Sequence, residues 1–313
     1  VPTTIPETLY SPEYTKKQLA SVLTMVITML EETLLRGLML FDRYANRGEA
    51  GNDDDLFILF VFRHLLELFD SVKIQIAECS PATAALQLRA MFEALLTIEY
   101  LTENKAKTGE RAIAYRFQVQ RQRKRFYLSQ DPNTAEGKEL REFIANSPYA
   151  GELKTPDLKE LADRLRRIDE ILDTKEYRAI AKAYKKAEKK IRHPPWYSLH
   201  GGPTSIMKLA RYLKHADWYR LLYGEWSERS HAVDVIDRIL THKSTGAAVR
   251  PLRDLSEFNS TVDFVMTFAL DTMRAIIRHY RPSDEEEQKA WYRSEISPVW
   301  TKIPTIEIGH SGD

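Results

Sequence analysis

LASVLTMVITMLEETLLRGLMLF, residues 19–41, decides the fold. Leu19, Leu23, Val26, Leu30 and Leu34 recur at three- and four-residue intervals, which puts them on one stripe of a helix. A run this long and apolar invites a membrane span. Glu31, Glu32 and Arg36 stand in its middle, however, and charges there argue for an amphipathic core helix. The other dense apolar run, LFILFVF at 56–62, is too short to span. No membrane contact is expected, and residues 15–44 read as one long helix.

The same template fits segment after segment. Only 12 glycines in 313 residues interrupt long charged and apolar repeats, so the fold class is all-α. Asn52 or Asp53 caps a helix to about 79. Pro81 opens another, to about 103, from the first-turn position that proline tolerates. A basic helix follows at 108–129, with shorter ones at 134–146, 157–172 and 175–191. RHPPWYSLHGGP, 192–203, breaks the pattern, because Pro-Pro cannot continue a helix. Trp196 and Tyr197 make it an ordered loop, since such side chains need something to pack on. Helices resume from Thr204 or Ser205 to 214, over 218–242, and from Ser256 to about 280. Ser283 caps a short terminal helix with acids in its first turn.

These segments make a bundle of long antiparallel helices. One domain is expected over 1–313. Its core is 15–104 with 193–281, its charged projecting hairpin is the insertion 105–192, and 294–313 is a loose tail.

Composition narrows the chemistry. Lys plus Arg is 46 and Asp plus Glu is 45, so no global field steers nucleic acid to the chain, though a local patch can. One cysteine, Cys79, excludes a disulfide framework and a cysteine-rich zinc site, and points to a reducing, cytoplasmic setting. The chain has no Gly-rich phosphate loop, no HExxH and no GxSxG elbow. No metal and no cofactor are expected.

Three constellations remain. Arg89, Glu93, Thr97 and Tyr100 form a narrow polar stripe on an apolar helix, and Arg63, Glu67 and Asp70 repeat the idea one helix earlier. They are either solvent faces or a polar cluster between packed helices, where the arginine must be held by carboxylates. Tyr219, Tyr223, Ser227 and His231 stand four apart, with Asp234 one turn beyond His231 to orient its ring. Such a row is either an acid–base site near neutral pH or a self-satisfied buried seam. Arg116, Arg121, Arg123, Lys124 and Arg125, interleaved with Tyr115, Phe117, Phe126 and Tyr127, suit a nucleic-acid strand, or else a solvated face. The second basic cluster, around Arg164, Arg166 and Arg167, is mixed with Glu160, Asp163 and Glu170, which favours a solvated face.

LRAMFEALLTIEYL, then PPWYSLHGGPTSIMKLA and WYRLLYGEWSERSHA, resemble in their order a family of helical prokaryotic proteins known as a domain of unknown function. The resemblance covers roughly 56–242. It implies a shared fold and a shared polar pocket of Arg89, Glu93, Tyr223, Ser227 and His231. The arrangement is also similar to the helical nucleotide-binding domains of higher eukaryotes and prokaryotes (HEPN), many of them metal-independent ribonucleases of toxin and antiphage systems. Their Arg-then-His spacing is matched here by RAIIRH, 274–279, no more often than chance predicts.

The resemblance implies a nucleotide- or RNA-binding protein. In its stronger form it is an endoribonuclease, with His231 as the acid–base group, Arg89 steadying phosphate charge, and Ser227 and Tyr223 positioning substrate. The basic helix then holds the strand, and a homodimer is natural. The alternative is a non-catalytic module that binds a cognate protein partner, its polar seam being structural.

Overall fold

The computed structural model describes residues 10–46, 53–145, 147–148, 157–220, 239–242 and 246–306. The chain forms two compact units, 1–105 with 210–313, and 106–209.

The first unit is a helical bundle. Helix α1, Pro12–Gln18, and helix α2, Ala20–Asn46, meet at Leu19 with a bend of 85°. The single helix expected over 15–44 is therefore broken. The reason lies in burial. Helix α1 contributes no buried residue, and its Lys16 is held at 2.8 Å by Glu78. Helix α2 buries Leu23, Val26, Met29 and Leu30 against helix α3, Asp53–Ala77. A 3-10 turn from Pro81 leads into helix α4, Ala85–Thr102, which packs on α3.

At Gly37 the side chains of neighbouring helices come up against the α2 backbone. A Cβ there would lie 2.5 Å from Leu66 Cδ2 and 3.0 Å from Met273 Cε, inside contact distance, so a larger residue must push these side-chain ends aside. Among the described residues no single helix is long and apolar enough to cross a membrane.

The second unit holds helices α5, Thr108–Gln130, α6, Ala135–Ile144, α7, Leu158–Leu172, and α8, Lys175–Glu188. Thr134 Oγ1 accepts from Gly137 N at 3.0 Å, and Asp157 Oδ1 accepts from Lys159 N at 2.9 Å, so two starts are capped as residue type dictates. Phe117, Leu161, Ile168, Tyr177, Ile180 and Tyr184 make its core. The loop 192–203 belongs to this unit rather than to the core expected for it. Trp196, 6% exposed, packs edge-on against Tyr115 at 5.1 Å, and its backbone N–H donates to Gln118 Oε1 at 2.6 Å.

The unit boundary falls within helix α9, Ile206–Tyr212, whose start is capped by Ser205. A short helical turn α10, Ala216–Trp218, follows. The helix expected over 218–242 does not reach its end. Ile239–His242 is strand β1, paired antiparallel with β2, Gly246–Val249, in the register Ile239 to Val249. Ile239 and Thr241 are β-branched and suit an extended backbone. Among the described residues this hairpin is the exception in an otherwise all-α fold.

Helix α11, Phe258–Tyr280, closes the bundle on α2, α3 and α4, with Phe268 buried beside Phe92. Helix α12, Glu285–Trp291, then runs through a π-helical turn, Tyr292–Ile296, into α13, Ser297–Trp300. Residues 294–300 are thus helical and not a loose tail. Ile296 is fully buried, and Trp300 Nε1 donates to Asp263 Oδ1 at 2.7 Å.

The mid-helix charges of α2 anchor this segment. Glu32 Oε1 accepts from Trp291 Nε1 at 2.8 Å, and the buried Arg36 meets Glu287 at 2.9 Å. The charges that argue against a membrane span serve tertiary packing here.

Candidate functional site

Helix α4 is buried at Leu88, Met91, Phe92, Leu95, Leu96, Ile98 and Leu101, because it packs on both α3 and α11. One polar stripe on it runs through Arg89, Glu93 and Thr97. Arg89 Nε lies 3.4 Å from Glu93 Oε1, near the limit of a hydrogen bond, with the side chains 28% and 44% exposed. Thr97 Oγ1 donates to its own helix at Glu93 O, 2.8 Å away. Tyr100 is buried edge-on against Tyr212 at 5.8 Å. Of the four-residue stripe, the first two are half-exposed and the last two are committed to packing.

The stripe on α3 is different. Arg63 and Glu67 pair at 3.5 Å with both side chains about half exposed, and Asp70 is taken by Lys73 at 3.0 Å. This is a solvent face, and it adds nothing to a cluster with α4.

One pair was not legible in the sequence. His215 Nε2 lies 2.6 Å from Glu99 Oε2, with the side chains 17% and 20% exposed. Helix α9 ends in a Schellman motif that sets the ring's place: His215 N donates to Ala210 O at 2.7 Å and Lys214 N to Arg211 O at 3.2 Å. Lys214 takes the left-handed conformation, φ 67°, where glycine is usual, at a cost of about 1–2 kcal/mol. That substitution hides the helix end from sequence reading. Phe92 supports the imidazole from below, edge-on at 6.4 Å.

The hydrogen bond to Glu99 holds the imidazolium of His215 above the usual histidine range, against the opposing effect of burial. Asp271 and Arg274 act on it with opposite signs. Burial in turn pushes the Asp271 carboxyl upward. A raised histidine pKa stabilises the fold fully below the ordinary histidine range and loses that effect as pH rises through the raised value. Glu99→Gln is therefore expected to cost about 1–2 kcal/mol at mildly acidic pH and clearly less in alkali. Urea unfolding of both proteins at the two pH values checks this, and a pH-independent difference would contradict it.

Tyr223, Ser227 and His231 lie outside the described residues. Of the residues assigned to nucleic acid, Arg121 is committed inside its unit, its guanidinium 3.8 Å from the Tyr184 ring centroid. Lys124 pairs with Asp169, and Arg116 is half-buried. Arg123 and Arg125 stay exposed beside Phe126, itself 59% exposed. Arg164 and Arg166 pair along their own helix, at 2.5 Å to Glu160 and 2.9 Å to Glu170, as a solvated face would. His279 of RAIIRH is a packing residue, its side chain 4% exposed and 3.1 Å from Asp55. Among the described residues no group of three or more His, Cys, Asp or Glu side chains is placed to hold a metal ion.

Residues 55–247 match a family of unknown function, DUF5677, and the chain belongs to that family. No curated protein and no solved structure matches it.

Proposed function

We propose that this member of the family binds nucleotide or RNA along the polar edge of α4, and cleaves RNA by histidine acid–base chemistry. One observation carries the reading. A helix buried over most of its surface keeps Arg89 and Glu93 on one stripe and, about a quarter to a third of a turn round the helix, Glu99 against His215. Charge on such a helix costs desolvation that apolar residues would avoid, and ligand binding is a reason to retain it.

In this reading Arg89 faces a phosphate, with Tyr223 and Ser227 positioning the substrate. His231 supplies the acid–base group, and the geometry adds His215 as a second candidate. Arg123, Arg125 and Phe126 on α5 offer strand contacts of their own unit, two cations beside a stacking surface. The likeness to toxin and antiphage ribonucleases belongs to this proposal.

Arg89→Ala is expected to weaken binding of a labelled single-stranded RNA by about tenfold. If the lost contact is to a phosphate, the slope of log affinity against log salt falls by about 0.7. Fluorescence anisotropy across a salt series measures both. Affinity and slope equal to the parent's would remove Arg89 from the site.

A second reading, a protein-interaction module that pairs with a partner or a second copy, draws on the exposed edge of α2. Leu35 and Met39 are 56% and 57% exposed there, with Leu38 beside them.

A further inference from the structure

The C-terminal helices build a second cleft, which shares Asp271 and Arg274 with the surroundings of His215. It encloses about 520 Å³ between α11 and the segment 285–300, outside the residues that match the family. Leu270 and Ile277 of α11 give it an apolar floor. Tyr292 and Trp300 line it with aromatic rings, and the bond from Trp300 Nε1 to Asp263 fixes one of them. A cavity of this size, with an apolar and aromatic part beside a charged rim, suits a small molecule that has both an apolar body and a charged group.

Its charge is unbalanced. Arg274, Arg278, Lys289 and Arg293 line it against two carboxylates, Asp271 and Glu285, a balance of +2. Asp271 is engaged by Arg274, and Glu285 by Arg278 at 2.6 Å. Lys289 is held by Glu286 at 2.7 Å. Arg293 is exposed and has no hydrogen bond or ion pair within 4 Å among the described residues, its electrostatic partner being Glu286, the carboxylate that also holds Lys289. The surplus charge therefore sits beside the aromatic lining.

A second observation falls at the same place. Tyr292 and Arg293 open the π-helical turn Tyr292–Ile296. Such turns interrupt a helix at the expense of regular hydrogen bonding and are frequent at functional sites. Here the turn is where an aromatic ring and the surplus cation both reach the cleft.

We infer that this cleft binds a small amphipathic anion. Its flat apolar body lies on Leu270 and Ile277 beside Tyr292 and Trp300, and its carboxylate, phosphate or sulfonate head meets Arg293 through charge-assisted hydrogen bonds.

The test uses the whole chain and two probes, 8-anilinonaphthalene-1-sulfonate and N-phenyl-1-naphthylamine, which has the same rings without the sulfonate. Titration calorimetry is expected to show one saturable site for each. Arg293→Glu should weaken the sulfonate by about tenfold or more and leave the neutral probe unchanged. Leu270→Trp, which fills the floor, should weaken both. RNA binding should be unaffected by Arg293→Glu, which separates this site from the α4 reading. No saturable sulfonate binding up to about 1 mM, or equal sulfonate affinity in the parent and Arg293→Glu, would overturn the inference.

Discussion

Replacing the acid–base histidine is expected to slow RNA cleavage by about 10²–10⁴-fold. The proposed step needs no cofactor. The imidazole takes the proton of a 2′-hydroxyl, and the freed oxygen attacks the neighbouring phosphorus. The bond from phosphorus to the 5′-oxygen breaks, and that oxygen leaves with a proton. The products are a 2′,3′-cyclic phosphate and a 5′-hydroxyl, and a 2′-deoxy nucleotide at the scissile position blocks the reaction. His231 enters from its row with Tyr223 and Ser227, and His215 from its 2.6 Å contact with Glu99.

The two histidines are separable. With Glu99 raising the pKa of His215, a general base there shifts the rise in rate to pH values above the ordinary histidine range. His231→Ala and His215→Ala, at melting temperatures matched to the parent, are assayed on a labelled oligoribonucleotide in the presence of a chelator. The parent cleaves, and at least one variant loses the activity. Undiminished cleavage by both, or none by the parent, contradicts the mechanism.

Phe92→Ala is expected to lower stability by about 3–5 kcal/mol, the range for deleting a buried phenyl ring. Phe92 is 1% exposed and its ring lies 5.5 Å from that of Phe268, so it joins α4 to α11. Both helices are long and held by other contacts, which limits collapse into the cavity. The same ring supports His215, so the variant also frees the imidazole from one of its walls. Urea unfolding measures the loss, and a value below about 1.5 kcal/mol would show that α4 and α11 do not pack through this residue.

What could be read in advance was local. The α2 stripe, the helices beginning near 134 and 157 and the entry at Pro81 follow from residue type and period, and the helices start at or within a few residues of those places. What escaped was tertiary. The break at Leu19 depends on α1 having nothing to bury, which only its neighbours reveal. His215 and Glu99 lie 116 residues apart, and no periodicity links them. The basic residues of α5 look alike in sequence, yet Arg121 and Lys124 have partners on other helices while Arg123 and Arg125 stay exposed. Ile296 and Trp300 sit in a stretch with proline and little visible period, and their burial and bonding decide its helical state.

The central claim is that the Arg89–Glu93 stripe of α4 belongs to a ligand and not to the fold. The paired measurement of RNA affinity and melting temperature on Arg89→Ala tests it most directly. A ligand-binding arginine leaves the melting temperature unchanged or raised when removed, because binding sites are retained at the expense of stability. The account predicts that outcome, with affinity down about tenfold. A melting temperature lowered by several degrees, with RNA affinity that of the parent, would make the stripe a structural seam and contradict the account.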